Sequence, residues 1–182
     1  MSAATAEPAT RAGLFSLFEA LAIDYQTVEH RPVFTVDEGR DLKVGMPGGH
    51  SKNLFLKDKK GALYLVVAWC DTAVDLVGLG KALGSKGRLS FGKPELMRDT
   101  LGVIPGAVTP FALINETARA LREVVLDRAL LQFDRVWFHP LENTATSGIA
   151  VEDLLKFIRH CGFEPRLIEL CAPLAADAQT DA

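Results

Sequence analysis

The sequence predicts a single α+β domain built on a mixed or antiparallel sheet. Two long apolar runs, residues 53–56 and 62–68, are joined by the polar stretch 57–61, which has the turn chemistry of a β-hairpin. Helical periodicity flanks them, at Leu14, Leu17, Phe18 and Leu21 and again at Val151, Leu154, Leu155 and Ile158. The chain has 182 residues, 48% hydrophobic and 24% charged, enough for one substantial core, with no repeat, internal linker or domain boundary.

Each element follows from its residues. Residues 7–23 form an amphipathic helix, and 25–28 alternate as a short strand that Arg31 and Pro32 break. Thr35 and Glu38 have capping-box spacing for a short helix through residue 44, followed by a loop over 46–50. The runs 53–56 and 62–68 are paired central strands. Asp71 is the expected cap of a helix ending at Leu83, with Val74, Leu76, Val77 and Leu79 on its apolar side and a glycine-bounded stop at 84–87. Another short helix follows Pro94. Residues 102–106 must be a loop, and 109–114 read as a buried strand. Further strands are expected at 124–126 and 135–139, separated by a turn over 127–130. A helix over 151–161 and a strand over 166–170 complete the body. The domain is thus expected over 7–170, between a flexible start at 1–6 and a disordered Ala/Asp-rich tail at 171–182.

Composition narrows the function classes. No run approaches the roughly 20 apolar residues of a membrane span, and the first residues lack the basic start and apolar block of a secretory signal. The expectation is a cytoplasmic protein. Cys70, Cys161 and Cys171 stand alone, outside any metal-ligand spacing, and read as free thiols. The net charge of −3 conceals a bias. Residues 40–98 carry 11 Lys/Arg against 5 Asp/Glu, and the rest of the chain 9 against 18. One face of an acidic protein could therefore meet a polyanion, although solvated surfaces often show such a bias without any ligand.

No phosphate-binding glycine motif, zinc signature or nucleophile elbow is present, which leaves solitary groups beside special loops. Lys52 follows a Gly-Gly-His loop and starts an apolar strand. Its ammonium could hold a phosphate or a carbonyl oxygen that gains charge in a transition state, or it could be an ordinary exposed strand-end lysine. Gly102, Val103, Ile104, Pro105 and Gly106 precede Thr109-Pro110. Such a backbone path can present free N–H groups to a substrate or simply join two core elements. His139 ends an aromatic strand before a polar turn and could line a pocket or serve as a structural histidine. His50 belongs to the flexible loop before Lys52. His30 and His160 read as structural or surface residues, and Asp24, Asp37 and Glu38 as turn and cap residues.

Taken together, Ser51-Lys52-Asn53-Leu-Phe-Leu, GVIPGAVTPFALIN at 102–115 and FHPLENTATSGI at 138–149 resemble the YbaK/ProX family of aminoacyl-tRNA editing domains. The likeness runs from about Tyr25 to Leu170 and is strongest to the freestanding prolyl-tRNA-editing branch, relatives of the insertion domain of prolyl-tRNA synthetase. The resemblance implies a barrel-like sheet flanked by helices. It implies hydrolysis, in trans, of the ester between alanine and proline tRNA, without metal or cofactor. It makes Lys52 the catalytic residue, and Tyr25, His50, Gly102, Val103, Ile104, Pro105, Gly106 and His139 the substrate-binding set. The partner implied is the tRNA acceptor end, with prolyl-tRNA synthetase as an optional second; no membrane is involved. Lys57, Lys59 and Lys60 on the hairpin tip, with Arg88 and Lys93, are the expected phosphate contacts. Two alternatives keep the fold: deacylation of a Cys- or Ser-charged tRNA, and a non-catalytic tRNA-binding or regulatory module. A DNA-reading role ranks last because no recognition helix with base-reading side chains is evident.

Overall fold

The computed structural model describes residues 6–35 and 37–170. The expected tail at 171–182 with Cys171, and residues 1–5 of the expected flexible start, lie outside the described residues. Four helices, α1 (Arg11–Ala20), α2 (Leu76–Leu83), α3 (Pro94–Leu101) and α4 (Val151–His160), pack around one eight-stranded mixed sheet. The strands are β1 (Tyr25–Glu29), β2 (Gly49–Lys57), β3 (Leu63–Trp69), β4 (Ser90–Phe91), β5 (Leu121–Asp127), β6 (Arg135–Phe138), β7 (Ala145–Ala150) and β8 (Arg166–Ile168). They pair in the order β1-β7-β6-β2-β3-β5-β8, with β4 beside β2. The two ends, β1 and β8, do not pair with each other, so the barrel-like sheet is open. No described helix is long and apolar enough to cross a membrane.

Strand β3 is apolar throughout because both of its faces are buried. Phe55, Leu65, Val67, Val124 and Leu126 point into a core shared with Leu14, Phe18, Phe111 and Phe157. Leu56, Tyr64, Val66, Ala68 and Val125 point into a second core with Leu79, Leu83 and Leu89. Phe18 holds the first core together, its ring 5.1 Å from Phe111, 5.8 Å from Phe157 and 5.3 Å from Tyr25.

The β2–β3 hairpin forms as expected, in antiparallel register from Ser51↔Trp69 to Lys57↔Leu63. At its tip the buried Asp58 carboxylate accepts from the N–H groups of Lys60, Ala62 and Lys86, at 2.9, 3.0 and 2.8 Å. Those donors, Lys86 foremost, hold its carboxyl below the usual carboxylate range.

Several local expectations are corrected. The helix leading to Leu83 is capped by Asp75, which accepts from Val77 N–H at 3.0 Å, and not by Asp71. The chain before it is already committed to a turn, with Thr72 N–H on Trp69 O at 3.0 Å and its hydroxyl on Asp127 at 2.7 Å. Residues 109–114 are a 3₁₀ turn, Pro110–Ile114, rather than a strand. Pro110 brings no N–H to a ladder, and Thr109 Oγ1 takes the N–H of Phe111 at 3.2 Å. Thr35 does accept from Glu38 N–H at 3.2 Å, but the helical turn is 3₁₀ and runs Arg40–Gly45. Strand β7 begins inside the stretch through Thr146 that the sequence marks as a polar turn. Its run Ala-Thr-Ser-Gly-Ile-Ala has little strand propensity, yet it pairs with β1 on one edge and β6 on the other. Small residues are required there, since a Cβ on Gly148 would lie 2.8 Å from the Trp137 ring.

Asp127, fully buried at the end of β5, joins the separate parts of this half of the sheet. Its carboxylate accepts from Trp69 N–H (3.1 Å), Thr72 Oγ1 (2.7 Å), Ala129 N–H (3.1 Å) and Leu170 N–H (3.4 Å). Asp127→Ala strands these donors away from water and is expected to lower stability by about 3 kcal/mol in urea unfolding. An unchanged midpoint and slope would remove Asp127 as the junction.

Candidate functional site

Strand β2 positions the site. One of its edges is paired with β3 throughout, while the other is shared between two partners. Gly49 and His50 pair with Val136 and Trp137 of β6, and Leu56 and Lys57 pair with Phe91 and Ser90 of β4. Between them residues 51–54 have no strand neighbour on that side among the described residues. Because Cys70 N–H donates to His50 O at 2.8 Å, His50 and Lys52 turn their main-chain groups toward β3. Ser51 and Asn53 turn theirs outward, as Phe55 does in accepting from Gly92 N–H at 2.9 Å.

A cavity of about 370 Å³ occupies this gap. Lys52, His50, Asn53 and Ser51 line it from β2, His139 and Trp137 from β6 and its C-terminal end, and Gly106 and Val108 from the loop after α3. The segment after β1 closes the remaining side with Val33, Phe34, Leu42, Lys43 and Met46. Among the described residues no Asp or Glu lines the cavity and Lys52 forms no ion pair. Its ammonium is therefore not neutralised within the site.

The imidazoles are oriented by their main-chain partners. His139 Nδ1–H donates to Ala145 O at 2.8 Å, which leaves Nε2 as an acceptor. His50 Nε2–H donates to Met46 O at 2.7 Å while its ring stacks on Trp137, with centroids 6.2 Å apart. His30, 5.9 Å from His139 ring to ring, spends Nδ1–H on Arg31 O and accepts from Thr146 Oγ1, both at 2.7 Å. Burial lowers the pKa of His50 and of His139 below the ordinary histidine value. Asn53 Nδ2 donates to Ser51 Oγ at 3.2 Å and to Val108 O at 3.1 Å, while its buried Oδ1 has no partner.

Of the residues expected from sequence, Lys52, His50, His139 and Gly106 meet at this cavity. Tyr25 does not line it. Its ring lies between Phe15 at 4.6 Å and Phe18 at 5.3 Å, packed against the first core. Gly102 is the left-handed cap of α3, Val103 is buried in the first core, and Ile104 and Pro105 face solvent outside the cavity. The loop therefore contributes only its end, Gly106. Lys43, Asn53 and Phe34 also line the cavity without being expected there from sequence, as does His30, which the sequence marks as a structural or surface residue. Asn53 was the most accessible of them, as a polar residue inside an apolar strand.

The basic residues cluster at the other end of β2. Asp58 ties the hairpin tip to the 86–88 turn, where Lys59 N–H donates to Lys86 O at 3.1 Å. Pairing of β4 with Leu56 and Lys57 brings Arg88 and Lys93 alongside. Lys59, Lys60, Lys86, Arg88 and Lys93 are exposed, and Arg122 acts electrostatically on Asp58. Lys57 lies roughly 17 Å along the strand from Lys52.

Nothing else in the described chain competes as a reactive centre. No group of three or more His, Cys, Asp or Glu side chains could hold a metal ion among the described residues. Burial pushes the Cys161 thiol up to about 12, too high for a nucleophile at neutral pH.

The depressed histidines set a pH dependence of stability. The folded chain favours both rings neutral, so their contribution is complete above the unfolded value of about 6.5 and is lost as pH falls through the lower folded values. Urea midpoints are expected to fall between pH 6.5 and 5, and less steeply in His139→Gln. An identical slope in that variant would show that His139 does not contribute.

The model for the family described as "Aminoacyl-tRNA editing domain" matches residues 30–157. The chain is 41% identical over 162 residues to prolyl-tRNA synthetase associated domain-containing protein 1 of Bos taurus, covering 87% of this chain and 94% of that one. It is 39% identical over 154 residues to the prolyl-tRNA editing protein ProX of Acetoanaerobium sticklandii, covering 84% and 92%. Its fold is shared with a solved structure described as a candidate trans-editing enzyme for prolyl tRNA synthetase, at TM-score 0.68 and 21% identity over 90% of this chain and 98% of that one. With an unneutralised lysine and oriented imidazoles in a cavity that the matched residues build, the chain belongs to the aminoacyl-tRNA editing domain family and is an aminoacyl-tRNA deacylase.

Proposed function

We propose that the protein removes alanine from wrongly charged proline tRNA, in trans and in the cytoplasm, after the tRNA has left the synthetase. The observation that carries this reading is the cavity, where Lys52 and an imidazole lone pair stand with no carboxylate among the lining residues. An aminoacyl ester is already activated, so its hydrolysis needs orientation and stabilisation of an oxyanion more than a strong nucleophile.

In this mechanism the ester carbonyl lies against the Lys52 ammonium. Water adds to the carbonyl carbon while His139 Nε2 accepts a hydrogen bond from it, and the oxyanion is stabilised by Lys52. Collapse breaks the bond to the ribose oxygen, which takes up the proton, and releases alanine. Asn53 Oδ1, an acceptor without a partner, receives the substrate's α-ammonium. In this reading the terminal ribose and the amino acid share the cavity, and selectivity comes from admitting a methyl side chain while rejecting the bulkier proline ring. The distant basic cluster then holds the acceptor-stem phosphates.

The test follows deacylation of proline tRNA charged with Ala, Pro, Cys or Ser. Selective loss of alanine is expected, with kcat/KM reduced about 100-fold or more by Lys52→Ala. Undiminished activity in a folded Lys52→Ala protein would overturn the assignment, and hydrolysis only of Cys- or Ser-charged tRNA would change the substrate. Binding without turnover of any of them would indicate a non-catalytic module.

The basic cluster is tested separately. Replacing Lys57, Lys59 and Lys60 together with Ala should raise KM and flatten the salt dependence of binding by up to three phosphate contacts, with no comparable change in kcat. Equal affinity for wild type and triple variant at low salt would remove the hairpin tip from the interface.

A further inference from the structure

Phe34 lines the cavity, yet 61% of its surface is exposed. An aromatic ring left mostly in water at the edge of a cavity forgoes the burial that places most such rings in a core. The loop holds it there. Phe34 N–H donates to the Glu38 carboxylate at 2.9 Å, and Glu38 N–H returns to Thr35 Oγ1 at 3.2 Å. Arg31 fastens the same turn through Glu38 O at 2.9 Å and Asp41 at 3.1 Å. The preceding residue, Val33, is buried, and its N–H donates to Asn143 O at 3.2 Å.

Behind the ring stands Gly106, at φ +89°, where an added Cβ would lie 3.0 Å from Phe34 Cδ1. Glycine lets the loop approach the ring closely. The ring is thus supported from behind while most of its surface stays open. The same cavity holds Lys43 and Lys52 and no carboxylate. A planar apolar surface beside unneutralised cations fits a single-stranded nucleic-acid end, whose base stacks while its phosphates meet the lysines.

We propose that Phe34 is the stacking platform for the 3′-terminal base of the RNA, positioning the terminal ribose and its ester over Lys52. This rests on the deacylase reading for the ester but not for the base. Stacking uses the π-face that every base has, so the platform tolerates any terminal base and fails only when the base is missing.

The probe is an uncharged RNA hairpin ending in single-stranded CCA, compared with the same RNA whose last nucleotide is abasic. Binding is followed by fluorescence anisotropy with the full chain. Wild type is expected to prefer the complete RNA by about 5- to 100-fold. Phe34→Ala should abolish that preference while leaving affinity for the abasic RNA unchanged, and Phe34→Trp should keep it. With charged tRNA, Phe34→Ala should raise KM more than it lowers kcat. A preference that persists in Phe34→Ala, or a wild type that binds the two RNAs equally or not at all, overturns the proposal.

The two readings fail separately. A wild type that prefers the complete RNA but hydrolyses no charged tRNA retains the platform and loses the deacylation mechanism. Selective hydrolysis with an undiminished base preference in Phe34→Ala does the reverse.

Discussion

Everything functional in this molecule depends on β2 being paired along only part of one edge. A central strand ordinarily spends its main-chain groups on two neighbours. Here β6 takes the first two residues and β4 the last two, and the middle is left facing a cavity. The long β2–β3 ladder makes this affordable, since it holds the strand in place without help from the open side. Lys52 and Asn53 are therefore set on one of the best-supported elements of the fold and still face open space, as a preorganised site requires.

The electrostatics of that space suit an ester more than a metal or a redox centre. The cavity is cationic, without a carboxylate among the described lining residues that would neutralise Lys52, and burial favours the neutral form of His50 and His139. Hydrogen bonds to main-chain carbonyls decide which ring nitrogen is offered to a ligand. Three acidic residues are engaged elsewhere in the fold. Asp58 organises the basic hairpin tip, Asp127 joins β3, β5 and the segment after β8, and Glu38 holds the turn that carries Phe34. A net charge of −3 thus coexists with a cationic site and a basic surface at the other end of the same strand.

Much of this was legible in the residues because strong local signals agreed with the tertiary outcome. The hairpin, α1, α4 and the stop after Leu83 follow from periodicity and from turn and cap chemistry that act within a few residues. Lys52 stood out by its place between a glycine-rich approach and an apolar strand, and His139 by closing an aromatic one. The misreadings share one cause. Thr109 to Ile114 is apolar because it is surrounded by core rather than because it alternates, and β7 is a strand because neighbours on both edges supply its ladder. Tyr25, expected at the site from the family resemblance, packs its ring against Phe15 and Phe18.

The sequence by itself determined the fold class, most of the element order and the segmental positive charge, because these depend on contacts and patterns spanning only a few positions. Tertiary structure alone decided which end of the 102–106 loop reaches the cavity, that Asn53 Oδ1 lacks a partner, and that Phe34 stands in water against Gly106. It also brought residues 57–60, 86–88 and 93 to one end of β2. These facts depend on strand register and on pairing between segments far apart in the chain. No local rule carries that information, because the free energy that selects the pairing belongs to the assembled core.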